Sequence, residues 1–80
     1  MALAICIKMI IEELKKENIE VKEIHYYKIG KKMYLLNIIC IDRRLGELKL
    51  HKSAIKHIAN NTEGCLPLKY LVHNDIRWSA

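Results

Sequence analysis

Glu47-Leu48-Lys49-Leu50-His51-Lys52-Ser53-Ala54-Ile55-Lys56-His57-Ile58-Ala59-Asn60 is the stretch on which the fold of this chain turns. Taken in twos, Glu47 to His51 alternates with Leu48 and Leu50 on one side, which predicts a short strand followed by a helix from Lys52. Taken in threes and fours, Leu48, Leu50, Ala54, Ile55, Ile58 and Ala59 fall within one half of a helical wheel, which predicts a single helix over 47–60. The first reading gives the order α-β-β-β-α-β, the second α-β-β-α-β, and strand followed by helix is preferred. In both, Lys52 and Lys56 stand four apart and share the solvent face of the helix. Only the long helix would bring Lys49 into line with them.

Upstream, Asp42-Arg43-Arg44-Leu45-Gly46 has the composition of a hairpin loop, and Met33–Ile41 before it is the most apolar run of the chain. Met33, Leu35, Ile39 and Ile41 alternate with Tyr34, Leu36, Ile38 and Cys40, so a central strand covered on both sides is expected. Gly30-Lys31-Lys32 is a short turn, and Ile19–Ile29 is a strand with Ile19, Val21, His25, Tyr27 and Ile29 on its dry side. Leu3 to Glu17 has helical spacing, with Leu3, Ile7, Ile10, Ile11 and Leu14 in one stripe and Asn18 as its stop. Ile5 and Met9 interrupt the polar side of that helix, either under the C-terminal tail or against a second subunit. Downstream, Thr62-Glu63-Gly64 is a loop, and Leu66–His73 alternates as an edge strand with Pro67 near its start. Asn74-Asp75 is a turn, and Ile76 and Trp78 fold back as a clasp. The expectation is one small α+β domain over residues 1–80, with a three- to four-stranded antiparallel sheet and two helices packed on one face.

Eighty residues leave little room for an elaborate pocket. Hydrophobic residues at 51% with charged residues at 29% argue for a folded chain rather than a disordered one. The net charge of +5 is unevenly spread. Lys28, Lys31, Lys32, Arg43, Arg44, Lys49, Lys52 and Lys56 face only Asp42 and Glu47 within their stretch, while both flanks are near neutral. Cys6, Cys40 and Cys65 form no close pair, which fits a reducing cytoplasm better than a disulfide framework. The apolar opening Met1–Ile11 lacks a basic start, is too short to span a bilayer, and runs into Glu12 and Glu13, so a cytoplasmic protein with no membrane partner is expected.

Catalytic chemistry finds little footing. Asp42 with Glu47-Leu48-Lys49 has the residue types of a metal-dependent nuclease, an aspartate and an E-x-K, but at the wrong spacing. His25, His51, His57 and His73 show no metal-ligand spacing, and Cys65 with His73 is the sole Cys/His pairing at tolerable range. Ser53 and Ser79 lie in no nucleophile context, and three isolated glycines make no phosphate loop. No catalytic residue, metal site or cofactor is expected. What remains is the basic cluster: Lys31 and Lys32 at a hairpin tip, Arg43 and Arg44 at a loop, Lys49, and Lys52 and Lys56 on a helix face, positioned to contact phosphates. Tyr26, Tyr27 and Tyr34 would stack bases where exposed. In a meander the 30–32 turn and the 42–46 loop lie at opposite ends, so only a long ligand would touch both.

Helix, three-stranded meander, then a helix opening with lysines resembles the double-stranded-RNA-binding domain over residues 3–61. That family carries K-K-x-A-K at the start of its second helix, and His51-Lys52-Ser53-Ala54-Ile55-Lys56 is similar in composition. Its first hairpin carries G-P-x-H, where this chain keeps Gly30 and has Lys31-Lys32. The long-helix alternative is similar in order to the K-homology type II arrangement, without its G-x-x-G clamp. Both resemblances imply a non-catalytic nucleic-acid-binding or regulatory module, RNA before DNA. The alternative is a protein-interaction module, a homodimer or an adaptor of a larger partner, using Ile5, Met9, Tyr34, Leu36 and Ile38. Its motive is that the chain has more apolar faces than a monomer of this size covers.

Overall fold

The computed structural model describes residues 2–60 and 66–79. Its elements run α1 (Ala2–Lys16), β1 (Val21–Lys28), β2 (Met33–Cys40), β3 (Leu45–His51), α2 (Lys52–Asn60), α3 (Leu66–Tyr70), a π-helical segment (Leu71–Asp75) and β4 (Arg77–Ser79). The four strands form one antiparallel sheet in the order β1-β2-β3-β4. The chain is thus α+β, in the expected helix–strand order.

The stretch from 47 to 60 divides at His51. Leu36 lies opposite Leu48 and Tyr34 opposite Leu50, and Leu36, Leu48 and Leu50 are all buried. Two-residue alternation prevails because it delivers both leucines of β3 to the core that β2 already defines. On this face Cys6, Ile10 and Leu14 of α1 meet Ile55 and Ile58 of α2, with Leu36, Ile38 and Cys40 of β2 beneath them.

α1 closes with two bonds of a Schellman motif: the Ile19 N–H donates to the Leu14 carbonyl at 3.0 Å and the Asn18 N–H to that of Lys15 at 3.0 Å. Asn18 takes the left-handed φ of 61° that this cap needs. The expected stop is therefore the actual one.

Several expectations are corrected. The register of β1 slips between Val21 and Glu23, a bulge that turns Val21 and Ile24 to the same, helix-covered side. His25 and Tyr27, expected on the dry side, consequently point to the other face. That other face is uncovered, so β2 is not a strand buried on both sides: Met33, Leu35, Asn37 and Ile39 are only half-buried. Leu66–His73 is helical rather than an edge strand, since Leu68 and Val72, four apart, both enter the core and Pro67 sits in a first helical turn, where its missing N–H costs nothing. Asn74 and Asp75 belong to the π-helical segment that follows. Glu13 of α1 is only 6% exposed, and α3 and the π-helical segment pack beside that helix. There the His73 Nε2 lies 2.8 Å from the Glu17 carboxylate.

The clasp exists as β4. Trp78 lies opposite Gly46, and its ring occupies the space that a Cβ at 46 would need. The expected loop Thr62-Glu63-Gly64, and Cys65 with its pairing to His73, lie outside the described residues.

Candidate nucleic-acid interface

Antiparallel pairing carries β1 to its turn at Gly30–Lys32 and brings β2 back from Met33, which lies opposite His51 at the end of β3. The hairpin tip and the start of α2 therefore occupy the same end of the sheet. The Lys52 N–H donates to the Lys32 carbonyl oxygen at 2.7 Å, and Lys32, His51, Lys52, Ser53 and Lys56 line a hollow of about 340 Å³. Exposed Lys31 stands beside it in the turn, and exposed Lys28 lies opposite Tyr34 on the helix-covered side.

The electrostatics of this end are one-sided. No carboxylate occurs between Glu23 and Asp42 or between Glu47 and Glu63. Among the described residues, none of Lys28, Lys31, Lys32, Lys52 and Lys56 is in an ion pair. α2 has no acidic residue in its first turn, although a helix N-terminus favours negative charge. Its start is secured locally instead: His51 Nδ1 accepts the Ser53 backbone N–H at 3.0 Å and sits 2.8 Å from the Ser53 hydroxyl oxygen. The result is a basic end whose lysines, among the described residues, have no carboxylate paired to them.

The other predicted cations do not join it. Arg43 and Arg44 lie in the β2–β3 turn at the opposite end of the sheet. Arg44 is also engaged, its Nε donating to the Asp42 carboxylate at 2.8 Å and its guanidinium lying 5.5 Å from the centre of the Trp78 ring. The Arg44 backbone N–H, donating to the Asp42 carboxylate, is the chief cause that holds the Asp42 carboxyl below the usual carboxylate range. Lys49 projects from β3 onto the uncovered sheet face, because 47–51 is strand rather than helix, and it lines a separate hollow with Glu47, Asp75 and Arg77.

Tyr26 is 56% exposed on the helix-covered side of the edge strand, near Lys28, while Tyr34 is half-buried against the core. Tyr27, 50% exposed, is on the opposite face. Only Tyr26 thus combines exposure with a place beside the basic end.

The expected interface residues also separate. Leu36 and Ile38 are 0% exposed in the core, which removes them as a docking surface, since their side of β2 is the one the helices cover. Tyr34 and Met9 pack against that core, and Ile5 remains exposed on α1. Sequence reasoning missed His51 and Ser53 as parts of the basic hollow and left Lys28 out of the candidate set. The signal for His51 was its position as the last residue of an alternating strand, directly before Lys52.

Burial pushes the Cys40 thiol up, aided by the Asp42 charge and opposed by Arg44, which keeps it in the unreactive thiol form. No group of three or more His, Cys, Asp or Glu side chains suited to a metal ion occurs among the described residues. No described helix is long and apolar enough to cross a membrane. No family model, no curated protein and no solved structure matches this chain.

Proposed function

We propose that this chain is a non-catalytic, nucleic-acid-binding or regulatory module of the cytoplasm that takes RNA before DNA. The observation that carries the reading is the meeting of Lys32 with Lys52 and Lys56 around one hollow, with Lys31 and Lys28 at its margin and no carboxylate among them. A single lysine on a surface is ordinary. Five on one end, held by a backbone hydrogen bond between the two segments that supply them, make a fixed positive patch that releases counterions when phosphates replace them.

The basic start of α2 supports the same reading. Lys52, in the first turn, opposes the helix dipole, and proteins depart from such local rules mainly where a ligand restores the balance. RNA is placed first because the order of elements resembles the double-stranded-RNA-binding domain, in which a hairpin turn and the start of the second helix reach the backbone of an A-form duplex. Arg43, Arg44 and Lys49 are not part of this footprint.

The test is a fluorescence-anisotropy titration with duplex RNA, single-stranded RNA and duplex DNA of equal length, at low and near-physiological salt. Tightest binding to duplex RNA, retained at the higher salt and weakened by Lys52→Glu with Lys56→Glu, is the expected result. Equal, weak binding to all three that disappears with salt, or indifference to the double substitution, would overturn the proposal.

A further inference from the structure

The sheet face turned away from the helices meets the basic end at His51, which lies opposite Met33. Tyr27 and Leu35 lie side by side on β1 and β2, and Ile39 lies beside Leu45 across β2 and β3. Leu45 is 48% exposed. In a chain with an excess of five positive charges, this face carries both signs: Glu23, paired with His25 at 3.2 Å, and Glu47 lie with Lys49 and Arg77. Glu47, Lys49, Asp75 and Arg77 line one hollow, and among the described residues none of these four is in an ion pair.

We infer that this open sheet face is the contact between two copies of the chain, packed sheet against sheet. An isologous interface requires a patch that is its own complement. Apolar side chains interspersed with equal numbers of unpaired carboxylates and cations meet that requirement, whereas a polyanion or a strongly charged partner would call for one sign. Size sets the strength. Three strands of seven or eight residues and a fourth of three cover on the order of 500 Å² at the usual strand spacings. Two such faces bury about 1,000 Å², the lower bound of a specific interface, so the dimer is weak and depends on concentration. The interface leaves both basic ends uncovered, and it stands independently of what they bind.

Sedimentation equilibrium of the full chain from about 1 µM to about 1 mM tests the assignment. The mass is expected to rise from one chain toward two, with association weakened but not abolished on adding salt as the ion pairs across the interface are screened. Leu45→Glu places a charge on the face at an exposed position that the fold does not depend on. It should leave the circular-dichroism spectrum unchanged and raise the dissociation constant at least about tenfold. Tyr26→Glu, on the other side of the sheet, should leave association as it was. A monomer at every concentration would overturn the inference. A dimer lost with Tyr26→Glu but kept with Leu45→Glu would also overturn it, and would move the contact to the outer edge of β1.

Discussion

The backbone N–H of Lys52 donates to the carbonyl oxygen of Lys32 across 2.7 Å, joining the tip of the first hairpin to the first residue of α2. Two segments twenty residues apart in sequence thereby present their lysines as one surface. Because Lys52 opposes the helix dipole, Lys52→Glu is expected to stabilise the free protein by about 0.3–1 kcal/mol. The same change should weaken polyanion binding and lower the slope of log K against log salt by about one. Urea denaturation and a salt series of binding titrations check the pair of effects. A loss of stability, or an unchanged salt slope, would contradict the role given to Lys52.

Gly46 has no room for a side chain. A Cβ there would stand 2.8 Å from Trp78 Cζ3 and 3.0 Å from Ile76 Cγ2. Gly46→Ala is therefore expected to cost about 1–3 kcal/mol, and to redden the emission of the single tryptophan as β4 shifts. In a Trp78→Ala background the cost should fall sharply, since the nearest obstruction is gone. Denaturation of the four members of this cycle measures the coupling, and additive effects would show that Trp78 does not press on Gly46.

Asn18 holds the left-handed position of the α1 cap. Replacing it by Gly relieves what strain remains and is expected to be neutral to slightly stabilising. Asn18→Val forces a β-branched side chain into that conformation and should cost at least about 1–2 kcal/mol. Thermal melts of the two variants rank them; equal melting temperatures would deny the cap its importance.

Asp42 gives the stability a defined pH dependence. Its carboxyl is held below the usual range, first by the Arg44 backbone N–H and then by the Arg44 side chain. The unfolded chain consequently binds the proton more readily than the folded one. The stabilisation is present in full above the usual carboxylate range and is lost as pH falls through the lowered folded value. Asp42→Ala should be less stable than the parent at neutral pH, and the two should converge in strong acid. A gap that stays constant across an acid titration of stability would place the effect elsewhere.

Local periodicity made much of this architecture legible. The spacing of Ile10 and Leu14 marked α1, Asn18 marked its end, and Gly30 the first turn. The alternation of Leu48 and Leu50 marked β3, and Lys52 and Lys56 were rightly paired because helical neighbours four apart share a face whatever surrounds them. These features are written in sequence because each depends on residues a few positions apart.

Other features depended on what packs against what. A one-residue slip between Val21 and Glu23 reverses the face of everything after it, so His25 and Tyr27 lie on the open side although alternation alone put them with the core. Leu68 and Val72 satisfy both a strand and a helix pattern over so short a run, and the groove beside α1 selects the helix. Glu13 is buried on α1, a helix that packs against elements far away in sequence. Sequence alone determined which segments are helix or strand wherever the period is unambiguous, and where positive charge accumulates. Tertiary structure decided which sheet face stays open and which lysines converge, because register and covering elements are set by contacts that no local pattern encodes.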